Sequence, residues 1–118
     1  MNYNVKGTHV TLTAEIHDYL DKKLAILDKL IQGNVAARVD VELEYLQDEA
    51  KMYRTELMLH DGSVWRVEAQ GSTLHEAIDI ASAELFNELT RAKKKKMHVF
   101  RHSAVRVKEY LRGWRKDM

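Results

Sequence analysis

The sequence predicts an α+β fold: a β-α-β-β-β-α two-layer sandwich with two helices on one face of a four-stranded sheet. Three observations predict it. Four segments alternate apolar and polar residues with the period of a half-buried strand, two segments repeat apolar residues every three or four positions, and an Asp-Gly pair joins two of the alternating runs.

The elements follow in chain order. MNYNVKG places apolar Tyr3 and Val5 between polar residues ahead of a glycine, the pattern of a short first strand. Thr13 is an N-cap residue for a helix carrying Ile16, Leu20, Leu24, Leu27 and Ile31 on one stripe, with Glu15 favourably placed in the first turn and Gly33-Asn34 as a stop. RVDVELEYL, residues 38–46, sets Val39, Val41, Leu43 and Tyr45 on one face and Arg38, Asp40, Glu42 and Glu44 on the other. After the polar QDEAK loop, Tyr53, Thr55, Leu57 and Leu59 alternate in a third strand. Asp61-Gly62 turns the chain into a fourth, marked by Trp65, Val67 and Ala69. Thr73-Leu74-His75-Glu76 is a capping box, and Leu74, Ile78, Ala81, Leu85 and Leu89 form the stripe of a second helix. That helix is expected to end between Arg91 and Met97.

Composition narrows the function classes. The 118 residues, 45% hydrophobic, suit one compact domain. With no cysteine, disulfides and Cys-based metal centres are excluded. The N-terminus has no signal-peptide apolar core and no segment approaches the roughly 20 apolar residues of a membrane span, so a soluble cytoplasmic protein is expected. The formal net charge of +1 conceals a division: residues 1–90 hold 8 Lys/Arg against 16 Asp/Glu, a net −8, and residues 91–118 hold 11 against 2, a net +9. A basic end of this kind commonly contacts nucleic acid, although it can also keep a helix end soluble or fold back on the acidic body.

The last segment, residues 97–118, interleaves Val99, Phe100, Val105, Val107, Tyr110, Leu111 and Trp114 with Arg101, Arg106, Lys108, Arg112, Arg115 and Lys116. Cations suit phosphates and flat rings suit unstacked bases, each stacked base contributing about 1–3 kcal/mol. The spacing of Val107, Tyr110, Leu111 and Trp114 equally fits one face of a short helix docked on protein. Ile80 lies about 200° from Ile78 on a helix, and Ile26 also falls off its helix's core stripe. Both are expected to receive either the tail or a second subunit. His98 and His102 are spaced as a helical metal pair but lack a third ligand, so no metal is expected. With no nucleophile–base pair, glycine-rich phosphate loop or isolated acidic pair, the reading is a non-enzyme with no catalytic residue and no cofactor.

KGTHVTLTAEIHDYLDKKLAILDKL and DGSVWRVEAQGSTLHEAIDIASAELFNEL, in this order and spacing, resemble the short ribosome hibernation-promoting factors, also described as ribosome-associated inhibitors or sigma-factor modulation proteins. The resemblance covers roughly residues 2–96. It implies the same β-α-β-β-β-α order, similar to a double-stranded RNA-binding domain. It also implies a translation regulator of stress or stationary phase that occupies the mRNA and tRNA channel of the small ribosomal subunit, with basic side chains on both helices holding rRNA phosphates. The matching basic positions are Lys22, Lys23 and Lys29 on the first helix and Arg91, Lys93, Lys94 and Lys95 at the end of the second, extended by Lys96 and Arg101. Thr8, Ile26, Glu84 and Asn87 depart, standing where the family is commonly basic. The resemblance thus divides the chain into a hibernation-factor domain, 1–96, and a basic aromatic tail, 97–118. The expected partner is small-subunit rRNA, with no membrane and no small-molecule substrate. The alternative is a protein-interaction module that has lost strong ribosome binding.

Overall fold

Strict alternation in three long strands gives each one apolar and one polar face, so the sheet must cover one side and leave the other wet. A computed structural model shows this arrangement, describing residues 2–31, 36–47 and 52–110, with side chains through Lys94. The order is β1 (Asn2–Thr8), α1 (Ala14–Asp28), β2 (Arg38–Tyr45), β3 (Tyr53–His60), β4 (Val64–Gly71) and α2 (Leu74–Tyr110). The α+β class and the β-α-β-β-β-α order are those expected. Strands lie side by side in the order β1-β2-β3-β4. The β1/β2 pair is parallel, joined through α1, and the other two pairs are antiparallel. The chain divides into two compact units, residues 1–87 and 88–118.

Within the first unit, Ile16, Leu20, Leu24 and Leu27 of α1 and Ala77, Ile78, Ala81 and Leu85 of α2 are buried, as are Val39, Val41, Leu43, Leu57, Leu59, Val67 and Ala69 of the sheet. Each large side chain so buried contributes about 1.5–3 kcal/mol. Thr13 caps α1, its Oγ1 accepting from the Ile16 N–H at 3.2 Å. The Tyr3 hydroxyl donates to Asp21, tying β1 to α1. Burial and this carboxylate raise the Tyr3 hydroxyl to about 12. Gly62, at φ +102°, occupies the hairpin loop between β3 and β4, a conformation that glycine adopts without steric cost. Asp61 locks the loop by accepting from the Ser63 N–H and the Trp65 indole.

Two helix ends differ from expectation. α1 stops at Asp28, ahead of Gly33-Asn34, which lie outside the described residues. The Leu27 carbonyl accepts from both Leu30 and Ile31 and closes the last turn there. α2 passes the expected 91–97 window and runs to Tyr110. Like charges one helical turn apart cost only about 0.2–0.5 kcal/mol per pair, whereas a proline costs about 3. No proline or glycine occurs between Leu74 and Tyr110, so nothing in the lysine run is strong enough to end the helix.

The open face of the sheet carries a charge problem and its solution. In the ladder Lys6 stands opposite Glu42, Glu42 opposite Glu56, and Glu56 opposite Glu68, so three glutamates form one row across three strands. Like charges placed directly opposite repel. Arg54 sits beside this row with its side chain only 15% exposed, and reaches Glu42 and Glu44 at 3.2 Å, Glu56 at 2.7 Å and Glu68 at 3.1 Å. From the other side Arg66 reaches Glu56 at 2.5 Å. Hydrogen bonds from Arg54 hold the carboxyls of Glu42 and Glu68 below their ordinary range.

Because those two folded-state values are depressed, their stabilisation is complete above the unfolded carboxylate value, about 4.3, and is lost as pH falls through the folded values. Arg54→Met leaves the glutamate row uncompensated and is expected to lower stability by about 1–3 kcal/mol at pH 7. The deficit narrows as pH is taken toward 4 and the carboxylates protonate, which urea unfolding at both pH values measures. On the covered face, the Thr55 hydroxyl is fully buried without a hydrogen-bond partner. Replacing Thr55 with isosteric Val removes an unsatisfied polar group, with an expected gain of about 1 kcal/mol in the same assay.

Candidate nucleic-acid interface

Amphipathic helices bury one stripe and present the other, so the residues opposite the core stripe of α1 define what the helical layer offers a partner. These include Lys22 and Ile26 of α1 and Lys29, its C-cap, which keeps helical backbone angles: seven positions return the helix to nearly the same angle, and Ile26 lies between the two lysines along the axis. All three are exposed. Lys22 and Lys29 present their charges to solvent.

Lys23 is placed differently. Its Nζ lies 2.9 Å from Asp79 Oδ1 of α2 and 5.5 Å from the centre of the Tyr19 ring. The Tyr19 hydroxyl donates to the same Asp79, and the Tyr19 ring meets His75 edge-on at 4.5 Å between centroids. His75 Nε2 in turn lies 3.4 Å from Glu15. Burial works against ionising Asp79, but the Tyr19 and Lys23 contacts outweigh it and its carboxyl stays below the usual value. The hydrogen bond to Asp79 raises both the Lys23 ammonium and the Tyr19 hydroxyl. Lys23 is therefore a strut between the helices whose charge is already matched. Sequence spacing alone did not reveal this, because Asp79 lies 56 residues away; a carboxylate set off the core stripe of α2 was the available signal.

The contacts advance together along both helices, from Glu15 with His75 through Lys23 with Asp79, so α1 and the start of α2 run in parallel. Beyond the strut they leave a groove of about 280 Å³ lined by Ile26, Leu27, Ser82, Ala83, Phe86 and Asn87. The Ser82 hydroxyl is buried and has no hydrogen-bond partner. α2 begins on a capping box: Thr73 Oγ1 accepts from the Glu76 N–H at 3.1 Å, and Glu76 Oε1 accepts from the Ser72 N–H, one residue before the cap, at 3.2 Å.

The remaining expected contacts belong to the second unit. Arg91, Lys93 and Lys94 are exposed on α2. Lys95, Lys96 and Arg101 are helical, and their side chains lie outside the described residues, as do Leu111 and Trp114. Among the positions departing from the family's basic pattern, Glu84 is exposed, Ile26 and Asn87 line the groove, and Thr8 lies on the open sheet face, donating to Glu42 at 3.0 Å. No helix among the described residues is long and apolar enough to cross a membrane.

Comparison with known proteins places this geometry. The family described as sigma 54 modulation protein / S30EA ribosomal protein matches residues 3–97. A ribosome hibernation promotion factor of Bacillus subtilis is 27% identical over 101 residues, covering 86% of this chain and 53% of its own length. This chain thus spans about half of that relative. A ribosome hibernation promoting factor of Pseudomonas putida is 26% identical over 106 residues, 90% of this chain and 100% of its own. The crystal structure of the N-terminal domain of Thermus thermophilus Protein Y aligns at a TM-score of 0.63 and 31% identity, over 76% of this chain and 93% of that one. The fold, the order of its elements and the match along most of its length agree: the chain belongs to the sigma 54 modulation protein / S30EA ribosomal protein family.

Proposed function

We propose that this protein is a non-catalytic ribosome hibernation factor of the cytoplasm, acting in stress or stationary phase. Its cations hold small-subunit rRNA while residues 1–96 occupy the channel used by mRNA and tRNA. Residues 97–118 form a basic aromatic tail that adds phosphate and base contacts. The observation that carries the reading is the segregation of charge. The carboxylates of the open sheet face are engaged by Arg54 and Arg66, while Lys22, Lys29, Arg91, Lys93 and Lys94 are exposed on the helices. Family membership supplies the ribosome as the partner of such a surface.

A second reading, a protein-interaction module, is favoured by one specific observation. Ile26 and Asn87 turn what would be a cationic stripe into the wall of an apolar groove.

Co-sedimentation with small ribosomal subunits over a salt series separates the two. Phosphate binding weakens with salt by a log–log slope of about −0.7 to −0.9 per phosphate neutralised. The expected result is salt-sensitive binding that is lost when Lys93, Lys94, Lys95 and Lys96 are all replaced by Glu. Absence of binding even at low salt overturns the hibernation reading. Within α1 the effects divide by engagement. Lys22→Ala and Lys29→Ala are each expected to weaken binding several-fold and to reduce the salt slope by about 1. Lys23→Ala, whose charge Asp79 already matches, leaves the slope unchanged.

A further inference from the structure

Among the described residues the large exposed hydrophobic side chains are Ile26, 48% exposed, Ile80, 44% exposed, and Val64. Val64 opens β4 at the far side of the sheet. Ile26 and Ile80 both belong to the outer side of the helical layer, one on each helix, and Ile26 also lines the groove between them. Isolated exposed hydrophobics need no explanation, but Ile26 continues a groove wall made with Leu27, Ala83 and Phe86 and so belongs to an apolar patch.

The charges around that patch are arranged by helix. On the α1 side stand Lys22 and Lys29, on the α2 side Glu84, and none of the three has an ion pair among the described residues. Contacts between the helices join residues 56 to 60 apart in sequence: Lys23 with Asp79 and Tyr19 with His75 at 56, Tyr19 with Asp79 and Glu15 with His75 at 60. Midway between these offsets, Lys29 stands within one helical turn of the height of Glu84.

We propose that the outer face of the α1/α2 layer is a self-complementary surface on which a second copy of this chain docks, about a two-fold axis running along the groove. Such an axis lays α1 of each copy over α2 of the other and preserves height along the helices. Ile26 then covers the groove wall at Ala83 of the second copy, and Lys29 comes within one helical turn of its Glu84, twice by symmetry. The alternative axis, perpendicular to the helices, lays α1 on α1 and forgoes the pairing of Lys29 with Glu84. The apolar centre supplies the association and the charge pairs fix its register. An interface confined to two short helices lies near the lower size limit for specific contacts, so the dimer is weak, with Kd about 10–100 μM.

The dimer and an rRNA complex use the same lysines and exclude one another. Only this consequence rests on the ribosome-binding reading; the docking surface does not. The test is therefore sedimentation equilibrium of the full chain without ribosomes, at low salt, from about 1 to 300 μM, a span chosen to bracket that affinity. A concentration-dependent dimer is expected, weakened at least about tenfold by Ile26→Glu, a substitution at an exposed position that far-UV circular dichroism will show to be folded. Lys29→Glu and Glu84→Lys should each weaken association, and the double exchange should restore it, because opposite charges again meet across the interface. A chain monomeric throughout this range, a dimer indifferent to Ile26→Glu, or a double exchange that fails to recover association each overturns the proposal. These outcomes are independent of ribosome co-sedimentation, so either reading can fail alone.

Discussion

Everything in the first unit depends on the sheet being covered on one side only. Both helices draw their buried residues from a single stripe, and those stripes meet the same sheet face, so the core is one layer of side chains between helices and strands. The opposite face is left to water. Four strands bring the charges of that wet face into fixed rows, and a row of three glutamates follows from the register alone. Arg54 is what makes the register tolerable. Its planar guanidinium addresses four carboxylates at once, a geometry a lysine ammonium cannot reproduce.

That division of labour has an electrostatic counterpart. Carboxylates of the sheet are partly matched by Arg54 and Arg66, while the cations of the helices remain in solvent and act at a distance set by ionic strength. The strut of Lys23, Asp79 and Tyr19 refines this picture by removing one lysine from the exposed set and using it to hold the helices in parallel. What is left on α1 is a pair of cations seven residues apart with an isoleucine between them. Such a face can meet phosphates or another apolar surface, but not both at the same moment.

Much of this was legible in the sequence. The alternation at Val39, Val41 and Leu43 and at Leu57 and Leu59, the Asp61-Gly62 turn and the Thr73–Glu76 capping box identify their elements because each rests on local chemistry. Helix ends were less legible. The stop at Asp28 depends on how Leu27 closes the last turn, and α2 continues because no residue in its path forbids it, an absence that a local signal cannot date to a particular residue. The roles of individual charges were least legible. Arg54 and Lys23 look like any surface cation until register and helix pairing bring Glu42, Glu68 and Asp79 to them from other elements.

The parallel pairing of β1 with β2 also shapes how the chain reaches this structure. Strands β2, β3 and β4 follow one another through short connections, but Asn2 must find Arg38 across 36 intervening steps of chain that include all of α1. Closing that long loop costs more chain entropy than closing either of the short antiparallel connections. The sequence contains no proline, so no slow peptide-bond isomerisation intervenes. Once closed, β1 stands at the edge of the sheet with β2 as its single neighbour, and the Tyr3 hydroxyl on Asp21 ties that edge to α1, whose Leu20, Leu24 and Leu27 are buried in the core.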